Sequence, residues 1–95
     1  MNAREIAEKA AQLVSVDREA THGDKVKNHE NIARIWNGYL FDRLSAPLSA
    51  LDAANMMELL KIARRKLGAH NLDDYIDGAG YAAVAGEIAE KGNHE

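Results

Sequence analysis

Cysteine is absent from this 95-residue chain. Disulfides, zinc–thiolate sites and iron–sulfur clusters are therefore excluded, and with them the staples that a secreted domain of this size usually needs. No apolar run approaches the roughly 20 residues that a membrane helix requires. The start, Met1-Asn-Ala-Arg-Glu-Ile6, has no basic stretch leading into an apolar one, so no signal peptide is expected. These absences point to the cytoplasm. Positive charge is also scarce. Twelve Lys and Arg against 15 Asp and Glu leave a net charge of −3, whereas a domain that grips duplex nucleic acid normally carries a basic face. Neither duplex nucleic acid nor a membrane is an expected partner. Strand-like alternation, internal repeats, a Gly-rich phosphate loop and a Ser–His–Asp pattern are all missing.

What is present is helical periodicity in a chain the length of one domain. Apolar residues make up 46% and charged residues 28%, ordinary values for a globular protein. Four helices are expected. The first covers about 2–14, with Ile6, Ala10, Leu13 and Val14 in one stripe, and with Asn2 and Glu5 spaced as a capping box. A polar loop over 15–24 ends at Asp24, a good N-cap. The second helix covers about 25–44, burying Ile32, Ile35, Trp36 and Leu40, and Pro47 follows its end. The third covers about 50–67, opening on Ser49 and Asp52 as a second capping box and closing at Gly68. Leu51, Ala54, Met56, Met57, Leu59, Leu60, Ile62, Ala63 and Leu67 cover most of its circumference, the mark of a central helix. The fourth covers about 72–91 and begins with Asp73, Asp74 and Asp77, which suit a helix N-terminus. The expected fold is all-α, a single domain over 1–95 arranged as a bundle with antiparallel neighbours.

Three groups of residues carry candidate chemistry. On the third helix Glu58, Lys61 and Arg65 share one face, reading either as a structural ion-pair strip or as the lining of a site. On the fourth, Asp74 and Asp77 project together. They either answer the helix dipole and pair with Lys61 and Arg65, or hold Mg²⁺ through carboxylates, waters and substrate phosphates. A tight turn makes these helices antiparallel neighbours, so the cations and carboxylates should meet. The third group is the loop and second-helix start, with Arg18, Thr21, His22, Asp24, Asn28 and His29, where a helix N-terminus favours an anion. His22 and His29 lack the spacing of a paired metal motif. Tyr75 and Tyr81 either stack on a base or fill the core. Gly78, Ala82 and Gly86, four residues apart, permit close helix packing inside the monomer or between copies.

The blocks Asp17-Arg-Glu-Ala-Thr-His-Gly-Asp24, Asn28-His-Glu-Asn-Ile-Ala-Arg-Ile-Trp36, Met56-Met-Glu-Leu-Leu-Lys-Ile-Ala-Arg64 and Asp74-Tyr-Ile-Asp-Gly-Ala-Gly-Tyr-Ala-Ala83 resemble a small phage and prophage family of uncharacterised function. More distantly, the layout is similar to the all-α nucleoside triphosphate pyrophosphohydrolases of the MazG and dimeric dUTPase type. That resemblance implies a homo-oligomer, located in the host cytoplasm if phage-encoded. It also implies Mg²⁺ held by Glu58, Asp74 and Asp77; a nucleotide reading of the residues then adds Lys61, Arg65 and Arg18 on the phosphates and the loop through Thr21, His22, Asp24 and Asn28 over the ligand. Where those enzymes place a carboxylate three residues on from Glu58, this sequence has Lys61. Three functions follow as expectations: a Mg²⁺-dependent pyrophosphohydrolase, a non-catalytic protein that sequesters a nucleotide, or a helical interaction module.

Overall fold

The structure, a computed structural model, describes residues 1–15, 24–66 and 68–93. Among these residues there are four helices and no strands: α1 (Ala3–Leu13), α2 (Lys25–Tyr39), α3 (Ala50–Lys66) and α4 (Leu72–Asn93). The all-α expectation holds. Each start has a local cause. Asn2 Oδ1 accepts from the Glu5 N–H at 2.9 Å while Glu5 Oε1 accepts from the Asn2 N–H at 3.2 Å, a complete capping box. Ser49 and Asp52 make the same reciprocal pair ahead of α3, at 2.9 and 3.0 Å. Asn71 Oδ1 accepts from Asp73 N–H at the head of α4. Gly68 has φ +85, the left-handed geometry that ends α3.

α2 is shorter than its periodicity predicts. It stops at Tyr39, with Leu40 as C-cap and its N–H donating to the Trp36 carbonyl. The reason lies in Asn37, whose amide donates to the Leu48 carbonyl at 3.0 Å and accepts from the Leu48 N–H at 2.7 Å. Pinning Leu48 beside Asn37 requires the chain to reverse within 11 residues, which a helix continuing to residue 44 does not permit. The expected buried face of α2 is rotated as well. His29 and Ala33 are buried, whereas Ile35 is 62% exposed.

α3 and α4 form the main pair, antiparallel. α2 packs on α3 and touches α4, and α1 packs on the other flank of α4. The core is made of small side chains. Ala54, Val84, Ala85 and Ile88 form its centre, with Val14, Val26, Ala50 and Leu51 against them. Among the described residues no large side chain is fully buried. Met56, Leu59, Leu60 and Ile62 of α3 lie exposed, so the helix expected to be central is covered on one side only. The radius of gyration is 14.4 Å, against about 12.4 Å for a compact domain of this length. No helix among the described residues is long and apolar enough to cross a membrane.

Because Asn37 satisfies both backbone groups of Leu48 in a half-buried setting, its removal leaves two polar groups without partners. Asn37→Ala is expected to lower unfolding free energy by about 2 kcal/mol, read from urea denaturation. A loss under about 0.5 kcal/mol would show that the reversal is held by other contacts.

Candidate functional site

The strongest concentration of charge lies where the C-terminal half of α3 meets the first turns of α4. The two helices approach closely there because α4 offers glycine. A Cβ at Gly78 would collide with the Arg65 guanidinium and sit 3.7 Å from Lys61 Cβ. Arg65 is therefore seated against bare backbone. Its Nη2 donates to the Asp74 carbonyl at 3.3 Å, and its Cζ stands 4.4 Å over the centre of the Tyr75 ring, a cation–π arrangement. His70 tilts onto the same tyrosine, with ring centres 5.9 Å apart.

The neighbouring charges are paired. Lys61 Nζ lies 3.3 Å from Asp77 Oδ2, and Arg64 Nε lies 3.3 Å from Asp74 Oδ1. The second pair is asymmetric. The Asp74 side chain is 6% exposed and that of Arg64 52%, so the arginine reaches in from solvent to neutralise a carboxylate that burial alone would penalise. Arg65 has no carboxylate partner among the described residues, and its Nε is buried without an acceptor. Three cations thus meet two carboxylates, and the surplus guanidinium keeps most of its donors free.

The expected site residues divide accordingly. Lys61, Arg65, Asp74, Asp77 and Tyr75 come together. Glu58 stays half-buried on α3, one turn before Lys61. Among the described residues no three His, Asp or Glu side chains gather closely enough to hold a metal ion. Glu58, Asp74 and Asp77 as they stand do not form a donor set that fits Mg²⁺, because both aspartates already face cations. Arg18, Thr21 and His22 lie outside the described residues. Asp24 is the N-cap of α2, accepting from the Val26 and Lys27 N–H groups at 2.8 and 3.1 Å. Asn28 lies in the first turn of that helix, its N–H donating to the Asp24 carbonyl.

Tyr81 stands apart from Tyr75 and meets the buried His29 edge-on, with ring centres 6.2 Å apart. The Lys25 carbonyl can only accept, so the 2.8 Å contact at His29 Nδ1 places the hydrogen on that nitrogen. His29 Nε2 is buried without a partner. Arg64 is the residue that sequence reasoning missed. Its position in the last turn reads as a dipole effect, and only the packing shows that it, rather than Arg65, takes the Asp74 carboxylate. In the small-residue stripe, Gly78 serves close approach, whereas Ala82 is exposed and Gly86 has no neighbour within 4 Å of a Cβ built there. A hollow lined by Asn37, Phe41, Leu44, Ser45, Ala46 and Pro47 lies at the other end of α3, about 24 Å along the helix from Arg65.

Two measurements test this arrangement. Gly78→Ala raises helix propensity by roughly 0.5–1 kcal/mol but evicts the Arg65 guanidinium. The substitution should be near neutral in the natural chain and stabilising by that amount in an Arg65→Ala background; equal effects in both would mean that Arg65 does not occupy the seat. The second concerns pH. Hydrogen bonds from the Lys27 and then the Val26 N–H, with Lys91 and Lys27 nearby, hold the Asp24 carboxyl below its ordinary value of 3.8. A depressed carboxylate stabilises fully above its unfolded-state value and loses that contribution as pH falls through the folded one. Asp24→Asn keeps an acceptor at the cap without titrating, so thermal melts should show a shallower acid limb below that value. An unchanged acid limb would remove Asp24 from the linkage.

Over 86 residues the chain is 36% identical to the Gene 55 protein of Mycobacterium phage D29, covering 90% of this chain and 54% of that protein. Over 75 residues it is 37% identical to the Gene 55 protein of Mycobacterium phage L5, covering 79% of this chain and 46% of that protein. The chain therefore spans about half the length of these relatives. No solved structure matches it. A family model described as "Domain of unknown function (DUF6378)" matches residues 5–89, a span that takes in the whole α3–α4 charge array, and the chain belongs to that family.

Proposed function

We propose that this domain binds a phosphate-bearing small molecule, a nucleotide by the chemistry of the array, at the cationic end of the α3–α4 pair, without a resident metal. The observation that carries the reading is Arg65. A half-buried guanidinium with one backbone acceptor, no carboxylate among the described residues and a buried Nε lacking any acceptor has charge and donors to offer an anion. Arg64, half-exposed, and Lys61, paired with Asp77, flank it. Tyr75 and His70, both exposed, bring two aromatic rings beside the same guanidinium, which suits a ligand carrying a base as well as phosphate. The distant resemblance to nucleotide pyrophosphohydrolases favours the same ligand class. The paired aspartates favour binding over metal-assisted hydrolysis, since each would have to give up a cation before taking Mg²⁺.

The test is to incubate the full chain with pooled ribo- and deoxynucleotides, with Mg²⁺ or with chelator, and to chromatograph the filtrate and the denatured retentate. Intact nucleotide held by the protein under both conditions is the expected result. Arg65→Met should weaken it about 10- to 100-fold, the value of a charge-assisted hydrogen bond or two, with helical circular dichroism retained. Conversion of a triphosphate to its monophosphate only with Mg²⁺ would overturn the non-catalytic reading in favour of a pyrophosphohydrolase. Nucleotides that all remain free would end the nucleotide reading altogether.

A further inference from the structure

The outer side of α3 carries a second pattern, independent of the ligand array. Asp52, Met56, Leu59, Ala63 and Lys66 follow one another at spacings of four, three, four and three, a heptad seam. At 100° per residue this seam lies opposite the side that carries Ala53, Ala54, Met57 and Lys61 toward the other helices. It is open: Leu59 is 60% exposed, with Leu60 and Ile62 beside it at 48% and 43%. A helix apolar on both sides is normally a buried one.

From this we infer that the outer face of α3 is the interface with a second copy of the chain, packed antiparallel about Leu59. The charge pattern selects that occupant and that direction. Asp52 lies seven residues before Leu59 and Lys66 seven after. Antiparallel pairing sets the Asp52 of each copy opposite the Lys66 of the other, twice by symmetry, and brings Met56 beside the small Ala63. Parallel pairing would set like charges together. Lys66 has no ion-pair partner among the described residues, and Asp52 uses one carboxylate oxygen on the Ser49 N–H, leaving the other open. Such an interface is isologous and closes at two copies.

Sedimentation equilibrium of the full chain over a concentration series should give twice 10.4 kDa. Leu59→Glu changes only an exposed position, so it should give the monomer mass with unchanged circular dichroism. Lys66→Glu should weaken association at least about 5-fold, more at low salt. Direction is read by thiol cross-linking, because the natural chain has no cysteine. Leu59→Cys should join into a covalent dimer with a short bis-maleimide. Lys66→Cys should not, since antiparallel packing separates its two copies by about 21 Å. A natural chain that sediments as a monomer throughout would overturn the inference, as would a Leu59→Glu variant that stays dimeric. Cross-linking of Lys66→Cys in place of Leu59→Cys would overturn the antiparallel arrangement. None of these outcomes depends on nucleotide binding.

Discussion

The close approach of α3 and α4 is the constraint on which the rest of this structure depends. Alanine makes it possible at one end, where Ala53 and Ala54 are wholly buried and Ala85 lies opposite. Glycine makes it possible at the other, where Gly78 admits the Arg65 guanidinium. Small side chains bring two backbones together but remove little apolar surface per residue. The pair is therefore intimate and its core is thin. The large apolar side chains that would thicken a core, Leu59, Leu60 and Ile62 among them, point elsewhere.

Close approach also determines what the charges do. A carboxylate as buried as Asp74 is tolerable only with a cation at hand, and Arg64 supplies it from the solvent side. Lys61 and Asp77 form a second pair nearly one turn along, with the burial reversed: the lysine is 14% exposed and the aspartate 34%. Removing the cation from such a pair costs more than removing the pair, because the buried charge is then left alone. This inequality bears on the metal question. Mg²⁺ at Asp74 and Asp77 would have to displace two seated cations and still lack a third carboxylate, whereas Arg65 has no carboxylate among the described residues to give up to an anion.

Much of this was legible in the residues. Both capping boxes, the Asp24 cap and the left-handed Gly68 depend on contacts within four residues, and local chemistry decides them. The meeting of Lys61 and Arg65 with Asp74 and Asp77 followed from helix spacing and one tight turn. The choice between Arg64 and Arg65 for Asp74 did not, because adjacent residues on a helix lie 100° apart and only the seat at Gly78 settles which of them turns inward. The end of α2 was also hidden. Pro47 stands at the expected break, yet the helix stops eight residues earlier, at Tyr39, because Asn37 binds a backbone 11 positions away. Periodicity alone assigns Ile35 to the core, and its exposure reflects which flank of α2 meets α3, a tertiary matter.

The two surfaces left open by this packing do not compete. Lys61 and Arg65 project from α3 on the side toward α4, and Leu59 and Ala63 from the opposite side. At 100° per residue the centres of the two strips are roughly 160° apart around the helix. A second copy seated on the seam would leave the guanidinium and the Tyr75 ring facing outward on each protomer. It would also brace α3 from behind, which matters because Arg65 is held by one backbone acceptor and one aromatic face rather than by a carboxylate. A cation positioned so lightly keeps its affinity for an incoming anion only if the helix that carries it does not shift. A second copy covering the outer face of α3 would restrict that shift, and through α3 the apolar seam would then support the charged array.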